Sequence, residues 1–346
     1  MAESTPEFPV PGPRFRAARA ATIDDMKAIV QDRYGAPDVL RFDDIDIPVP
    51  GADDVLVRVR AASLNARDWH VMRGDPYLAR LSIGLRRPKW PVQGTDFAGV
   101  VEAVGANVTS LRPGDEVYGE TNGAFAEYVC AGPEEVDRKP ANLTFEQAAA
   151  VPLAAGTALD CLPDVAGGQR VLINGASGGV GTFAIQIAKA RGAFVTAVCS
   201  ARNARQALAL GADRVVDYAR EDFARGDAHY DLVLDLVGNR SLGDLRRALA
   251  PAGTLVLSGG GVSKGGSMFG PMGLILRGTL ASRFASHRIL LPHYKPSRAH
   301  LATMRELIES GRVTPVIDRT YPLSDAAAAI RYLETEHATG KVVLTV

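Results

Sequence analysis

Apolar and polar positions run in short alternating stretches over the first part of the chain, then switch to a repeating strand–helix rhythm. Met26-Lys27-Ala28-Ile29-Val30 reads as a strand. Val55-Leu56-Val57-Arg58-Val59-Arg60 alternates with period two, as a half-buried strand does. Residues 99–105 and 115–119 continue this pattern between glycine and proline turns. A helix is predicted over 144–150, with Thr144 as cap, Gln147 answering three residues later, and an alanine run behind them. From about Gly168 the texture changes. Strands are predicted at 170–174, 194–199, 214–217, 232–237 and 253–258, with helices at 182–191 and around 203–210. Strand and helix alternating at this interval mark a doubly wound parallel sheet. A helix over 299–310 and a closing strand over 341–346 follow. The expected class is α/β, with a β-rich domain over 26–150 completed by 295–346, and a doubly wound domain over 151–294.

A chain of 346 residues can hold two such cores, and 47% hydrophobic residues with 35 glycines suit a compact α/β enzyme. The formal net charge is zero, so no global field draws the chain to nucleic acid or to an anionic membrane surface. No apolar run reaches the roughly 18 residues of a membrane span, so no stable insertion is expected. Cys130, Cys161 and Cys199 form no C-x-x-C pair, which predicts reduced thiols and a cytoplasmic protein rather than a disulfide framework. Residues 1–25 read as a flexible extension. Arg14, Arg16 and Arg19 suit a transit peptide, whereas Glu3, Glu7, Asp24 and Asp25 do not.

The chemistry begins at Ala176-Ser177-Gly178-Gly179-Val180-Gly181, which follows a predicted strand and opens a predicted helix. Small residues there permit a tight turn and let the backbone approach a pyrophosphate, while the helix N-terminus offers unpaired N–H groups. This context predicts a Rossmann dinucleotide site held by Ser177, Gly178, Gly179, Val180 and Gly181. The end of the second strand selects the dinucleotide. An NAD site places a carboxylate there for the ribose 2′-OH, but this chain has Ser200-Ala201-Arg202-Asn203. Ser200 and Arg202 can donate to a 2′-phosphate, so NADPH is expected. Tyr218, just past the third strand, is a candidate for the same phosphate and the adenine. Ser258, closing the fifth strand, and Lys341 are further candidate cofactor contacts.

Several short motifs then act together: Tyr34-Gly35-Ala36-Pro37, Ser63-Leu64-Asn65-Ala66-Arg67-Asp68, Gly94-Thr95-Asp96-Phe97-Ala98-Gly99, Pro113-Gly114-Asp115-Glu116-Val117 and Gly340-Lys341-Val342-Val343. With the glycine loop, they make the chain from Met26 to Val346 resemble a medium-chain dehydrogenase/reductase of the zinc-free quinone oxidoreductase, zeta-crystallin-like branch. That resemblance implies a GroES-like catalytic domain, an active site in the cleft beside the Rossmann domain, and a homodimer. At the positions where zinc-dependent relatives carry their ligands stand Asn65, Thr95 and Ala154, none of them a thiolate, imidazole or carboxylate. No metal is expected. Without a Lewis acid to hold an alkoxide, the favoured acceptor is one that spreads the incoming charge. A conjugated carbonyl such as a quinone or enone does so, and neutral hydrogen-bond donors can then suffice.

Asn65 is the leading candidate for orienting the nicotinamide ribose or the substrate, and Thr157 can hydrogen-bond near the nicotinamide. Asp68 and His70 are candidates for proton handling. No dedicated general acid stands out, so water is expected to supply the proton. Rival readings are an enoyl-thioester reductase and a non-catalytic NADPH-binding redox sensor. One stretch stays open: no Asp or Glu occurs between Asp244 and Glu306, while Leu274, Ile275, Leu276, Leu280, Phe284, Ile289 and Leu290 can form one apolar helical face. It reads either as a lid or membrane-facing surface, hinged at residues 259–266, or as a helix packed on a partner subunit or the catalytic domain.

Overall fold

The computed structural model describes residues 25–226, 228–259, 287–336 and 338–346. The strands are, in chain order, β1 (Asp25–Val30), β2 (Arg41–Asp46), β3 (Val55–Leu64), β4 (Asp96–Val104), β5 (Glu116–Glu120), β6 (Tyr128–Ala131), β7 (Val136–Arg138), β8 (Arg170–Asn174), β9 (Phe194–Cys199), β10 (Arg214–Asp217), β11 (Tyr230–Asp235), β12 (Leu249–Leu257), β13 (Arg288–Leu290), β14 (Ile317–Pro322) and β15 (Lys341–Thr345). Among the described residues β8 to β13 form one parallel sheet in the order β10-β9-β8-β11-β12-β13, the doubly wound order of a Rossmann domain. The chain reverses direction across this sheet between β8 and β11, and a ligand crevice opens at such a switch point. The second sheet runs β14-β15-β3-β4-β5-β7, with β6 also on β3, and is antiparallel except for β14 on β15. It is the GroES-like part. The C-terminal strands return to it because β15 slots between β14 and β3.

The helix Pro152–Cys161 sits between the two sheets and is apolar nearly all round, as a helix buried on several sides must be. One cluster of buried side chains runs from Ala61, Ala98 and Tyr118 through Ala154 and Ala158 of this helix to Ile173, Phe183 and Val256 of the Rossmann sheet. The helix ahead of it, Phe145–Ala149, starts where the sequence predicts. Thr144 N–H donates to Gln147 Oε1 at 3.0 Å, and Gln147 N–H donates to Thr144 Oγ1 at 3.2 Å.

Several boundaries differ from the sequence expectation. The helix after the glycine loop begins at Gly179 rather than at 182, because Gly178 is its N-cap and the glycines themselves form its first turn. The fourth Rossmann strand ends at Asp235 rather than at 237, because the Asp235 carboxylate accepts the N–H groups of Val237 and Gly238, both at 3.1 Å, and turns the chain. Asp25 already belongs to β1, paired with Asp46, so the expected extension is one residue too long, and its remainder, 1–24, lies outside the described residues. Most of the acid-free stretch, 260–286, lies outside them as well. Ile289 and Leu290 are in β13, parallel to β12, so they do not extend a helical face. Gly259, at the start of the expected hinge, is packed against Leu236, where a Cβ would meet a backbone carbon at 2.2 Å.

Candidate active site

Strand register places the site. Ser63 lies opposite Asp96, Asp96 opposite Glu120, and Leu64 opposite Val342. The end of β3, the start of β4, the end of β5 and the start of β15 therefore share one edge of the GroES-like sheet. On that edge Asp96, fully buried, accepts four hydrogen bonds: from Ser63 Oγ at 3.1 Å, Asn65 Nδ2 at 2.9 Å, the Leu153 N–H at 3.1 Å and Lys341 Nζ at 3.2 Å. Lys341 Nζ also donates to Asn65 Oδ1 at 2.5 Å. A buried ammonium and a buried carboxylate, cross-linked by an amide, form a closed charge-assisted unit.

Asn65 stands just ahead of the helix Ala66–Arg73. Its N–H donates to Asp68 Oδ2 at 2.7 Å, while Thr95 Oγ1 donates to Asp68 Oδ1 at 2.9 Å. Both Asp68 oxygens are thus engaged behind the cleft wall, in a residue only 2% exposed. Burial raises its carboxyl to about 6, against the pull of the neighbouring Arg67. Asp68 holds Asn65 and Thr95 in place and is not among the cleft-lining residues, so both oxygens expected to handle a proton are engaged structurally. His70 does not reach the cleft either. Its ring stacks on Trp69 with centroids 3.7 Å apart, its Nδ1 lies 2.7 Å from the Asp75 carbonyl oxygen, and burial lowers its pKa.

A cleft of about 740 Å³ opens in front of this unit. Asn65, Arg67, Thr95 and Lys341 line one side, Gly179, Val180 and Ser258 the other, with Thr157 between. Arg67 is fixed across the mouth by its contacts to Thr95 Oγ1 at 2.8 Å and Asn122 Oδ1 at 2.9 Å. The two halves touch where Gly179 meets Lys341: a Cβ at Gly179 would stand 2.9 Å from Lys341 Cδ.

The glycine loop has the shape a pyrophosphate requires. Gly175 turns the chain at φ +90°, in the left-handed region. Gly181 packs directly on the strand end, since a Cβ there would lie 2.3 Å from the Gly175 carbonyl oxygen. The helix Gly179–Ala190 then points its first turn at the crevice, so the residues present fit a dinucleotide phosphate. Ser177 is half-buried in the loop. At the next strand end, Ser200 is the N-cap of a short turn over Ala201–Asn203 and Arg202 is exposed on it. Tyr218 donates its N–H to the Cys199 carbonyl at 3.3 Å with its side chain 49% exposed. These three side chains lie at the C-terminal edge of β9 and β10, the edge that also carries the glycine loop. Asp217, which ends β10, is committed locally to Ala219 N–H at 3.1 Å and Arg220 at 3.7 Å.

Zinc does not fit the donor set. Asn65, Thr95 and Ala154 offer an amide already doubly bonded, a hydroxyl already shared, and a methyl group. Among the described residues no group of three or more His, Cys, Asp or Glu could hold a metal ion. The three cysteines lie on β6, at the end of the helix Pro152–Cys161 and at the end of β9, and burial pushes the Cys130 and Cys161 thiols up to about 11.

Two groups in the cleft escaped the sequence reading. Glu120 ends β5 at only 2% exposure, and Tyr294, from the segment after β13, donates its hydroxyl to Glu120 Oε1. Burial first, and the Asp96 charge second, raise the Glu120 carboxyl to about 8. An acid closing a strand beside a glycine turn looks like an exposed end in the sequence. Only the register against Asp96 shows that it points inward. Asp96 lies in the Gly94–Gly99 motif, but nothing local in the sequence indicates that four donors converge on it.

The fold and sequence have counterparts among known proteins. Residues 51–142 match the alcohol dehydrogenase GroES-like domain, and residues 210–344 match the zinc-binding dehydrogenase model. The mouse mitochondrial NAD(P)H oxidoreductase RTN4IP1 is 34% identical over 382 residues, covering 97% of this chain and 94% of its own. The chloroplastic NADPH-dependent alkenal/one oxidoreductase of Arabidopsis thaliana is 34% identical over 344 residues, covering 94% and 81%. The solved quinone oxidoreductase of Coxiella burnetii superposes with a TM-score of 0.80 at 33% identity, over 93% of this chain and 99% of that one.

Proposed function

Because the chain belongs to the medium-chain dehydrogenase/reductase superfamily, in its zinc-free quinone oxidoreductase branch, we propose that it reduces a quinone or another α,β-unsaturated carbonyl with NADPH. The family makes it an oxidoreductase with a nicotinamide cofactor. The acceptor class rests on one observation: at the three positions where zinc-dependent relatives carry ligands this chain has an amide, a hydroxyl and a methyl group, and the amide of Asn65 is already tied to Asp96 and Lys341. Such a wall can steady a delocalised enolate or hydroquinone anion, whereas a localised alkoxide demands more.

The nicotinamide, when bound, supplies the hydride, and the protein's own part is to hold and orient. In this reading the loop from Ser177 to Gly181 takes the pyrophosphate. Asn65, kept in one rotamer by Asp96, together with Lys341, orients the nicotinamide ribose or the acceptor, and Thr157 and Ser258 donate near the nicotinamide. Ser200, Arg202 and Tyr218 take the 2′-phosphate and adenine. A homodimer in the cytoplasm goes with the proposal. Both remain expectations: the mouse relative is described as mitochondrial and the Arabidopsis relative as chloroplastic, and no helix among the described residues is long and apolar enough to cross a membrane.

The test is steady-state oxidation of NADPH and of NADH against quinones, enones and their saturated counterparts. Turnover is expected with the conjugated acceptors and with NADPH preferred. Arg202→Ala is expected to raise the KM for NADPH about 10–100-fold and leave that for NADH unchanged, since a charge-assisted bond to phosphate contributes ~1.5–3 kcal/mol. An unchanged ratio of the two KM values rules out phosphate recognition by Arg202. Tight NADPH binding without turnover of any acceptor would instead favour the sensor.

A further inference from the structure

We propose that Glu120 is the general acid of this site, delivering the proton that completes reduction of the acceptor, with Tyr294 as the residue that positions its carboxyl group. The proposal rests on the reductase reading above and names the proton source which that reading lacks.

Four observations carry it. Glu120 and Tyr294 both line the cleft that also contains Asn65, Lys341, Thr157 and the first turn of the cofactor helix. Glu120 is held at the end of β5 by its register opposite Asp96, so its backbone is fixed within the sheet. Tyr294 is wedged against Gly156, where a Cβ would lie 2.5 Å from its hydroxyl oxygen, so only glycine lets the ring reach Glu120. The Tyr294 hydroxyl donates to Oε1 of Glu120. In the neutral acid this leaves the proton to Oε2, the oxygen that Tyr294 does not engage.

The charges around the pair keep that proton in place. Asp96 faces Glu120 from β4 and Glu135 from the turn before β7, both opposing a second negative charge, while Arg67 from the helix Ala66–Arg73 favours one. Lys341 on β15 is spent on Asp96 and Asn65. On the far side Tyr294 stacks on His300 at 6.1 Å, and His300 pairs with Asp160 at 3.2 Å. Burial and Asp96 together raise Glu120 to about 8, so the acid is present at neutral pH and is lost as the pH rises through 8.

The step balances. Hydride forms a C–H bond at the conjugated carbon, or an O–H bond on a quinone, and the displaced electron pair settles on the acceptor oxygen. The Oε2–H bond of Glu120 then breaks, its proton bonds to that enolate or hydroquinone anion, and the carboxylate is reprotonated by water before the next turnover.

Two readouts test it. In the first, the carbonyl stretch of the protonated carboxyl is followed by infrared difference spectroscopy in the protein without cofactor. A band lost with a midpoint near pH 8 and missing in Glu120→Gln is expected, and in Tyr294→Phe the midpoint moves to higher pH, because the tyrosine bond favours the charged form. In the second, kcat of the wild type falls as pH passes 8, and Glu120→Gln lowers kcat about 100-fold or more with a flat profile, the KM for NADPH being unchanged. A carboxyl already ionised at pH 6 overturns the proposal, as does a Gln variant that keeps wild-type kcat and its alkaline limb. If the wild type turns over no acceptor while the carboxyl still titrates near 8, it is the reductase reading that falls.

Discussion

Asp96→Ala is expected to lower the unfolding free energy by about 3–5 kcal/mol, the cost of stranding one partner of a buried ion pair. The carboxylate is fully buried and satisfies Ser63, Asn65, the Leu153 N–H and Lys341 at once, so its removal leaves an ammonium and three neutral donors without their acceptor. The Leu153 contact adds a wider consequence. It ties β4 of the GroES-like sheet to the helix Pro152–Cys161, whose alanines continue the core into the Rossmann sheet. Lys341→Met alone removes the opposite charge. The double variant should lose about 2 kcal/mol less than the sum of the two single losses, because neither then leaves an unpaired charge. Urea unfolding of the four proteins reads this directly. Strict additivity would mean that Asp96 and Lys341 do not interact.

Gly181→Val is expected to weaken dinucleotide binding by about 100-fold, or ~2.7 kcal/mol. The first branch carbon would meet the Gly175 carbonyl oxygen at 2.3 Å and Ala176 backbone atoms at 2.7 Å. Backbone cannot swing away as a side chain can, so the helix must lift off the strand and carry its first-turn N–H groups away from the phosphates. This sits at the upper end of the about 1–3 kcal/mol that overpacking costs. Fluorescence titration of NADPH measures it. Gly168→Ala is the control for a backbone effect elsewhere, since its φ of +82° is strained for alanine but nothing lies within 4 Å. Wild-type affinity in Gly181→Val would show that the loop does not hold the phosphates.

The fold was largely legible because its signals are local. Period-two alternation marks β3, the strand–helix interval marks the Rossmann sheet, and the Thr144/Gln147 pair marks one helix start. The glycine loop was legible for the same reason: tight turn, phosphate approach and helix start all fall within seven consecutive residues from Gly175 to Gly181. The proposed proton donor and its positioning residue were not. Asp68 carries the look of a catalytic acid, beside His70 in a polar run, yet the helix geometry turns it inward to hold Asn65 and Thr95. Glu120 and Tyr294 are 174 residues apart and meet only because β5 pairs with β4 and Gly156 leaves room for a ring. Such a juxtaposition is a product of register and packing, and no periodicity in the chain encodes it.

The central claim is that hydride passes from NADPH to a conjugated carbonyl beside a wall of hydrogen-bonding side chains instead of a metal. The most direct measurement is NADPH-dependent reduction of a quinone and an enone by protein treated with a strong chelator, with its metal content determined on the same sample. Undiminished turnover with substoichiometric zinc is expected. Activity that vanishes on chelation and returns with one equivalent of zinc would contradict it.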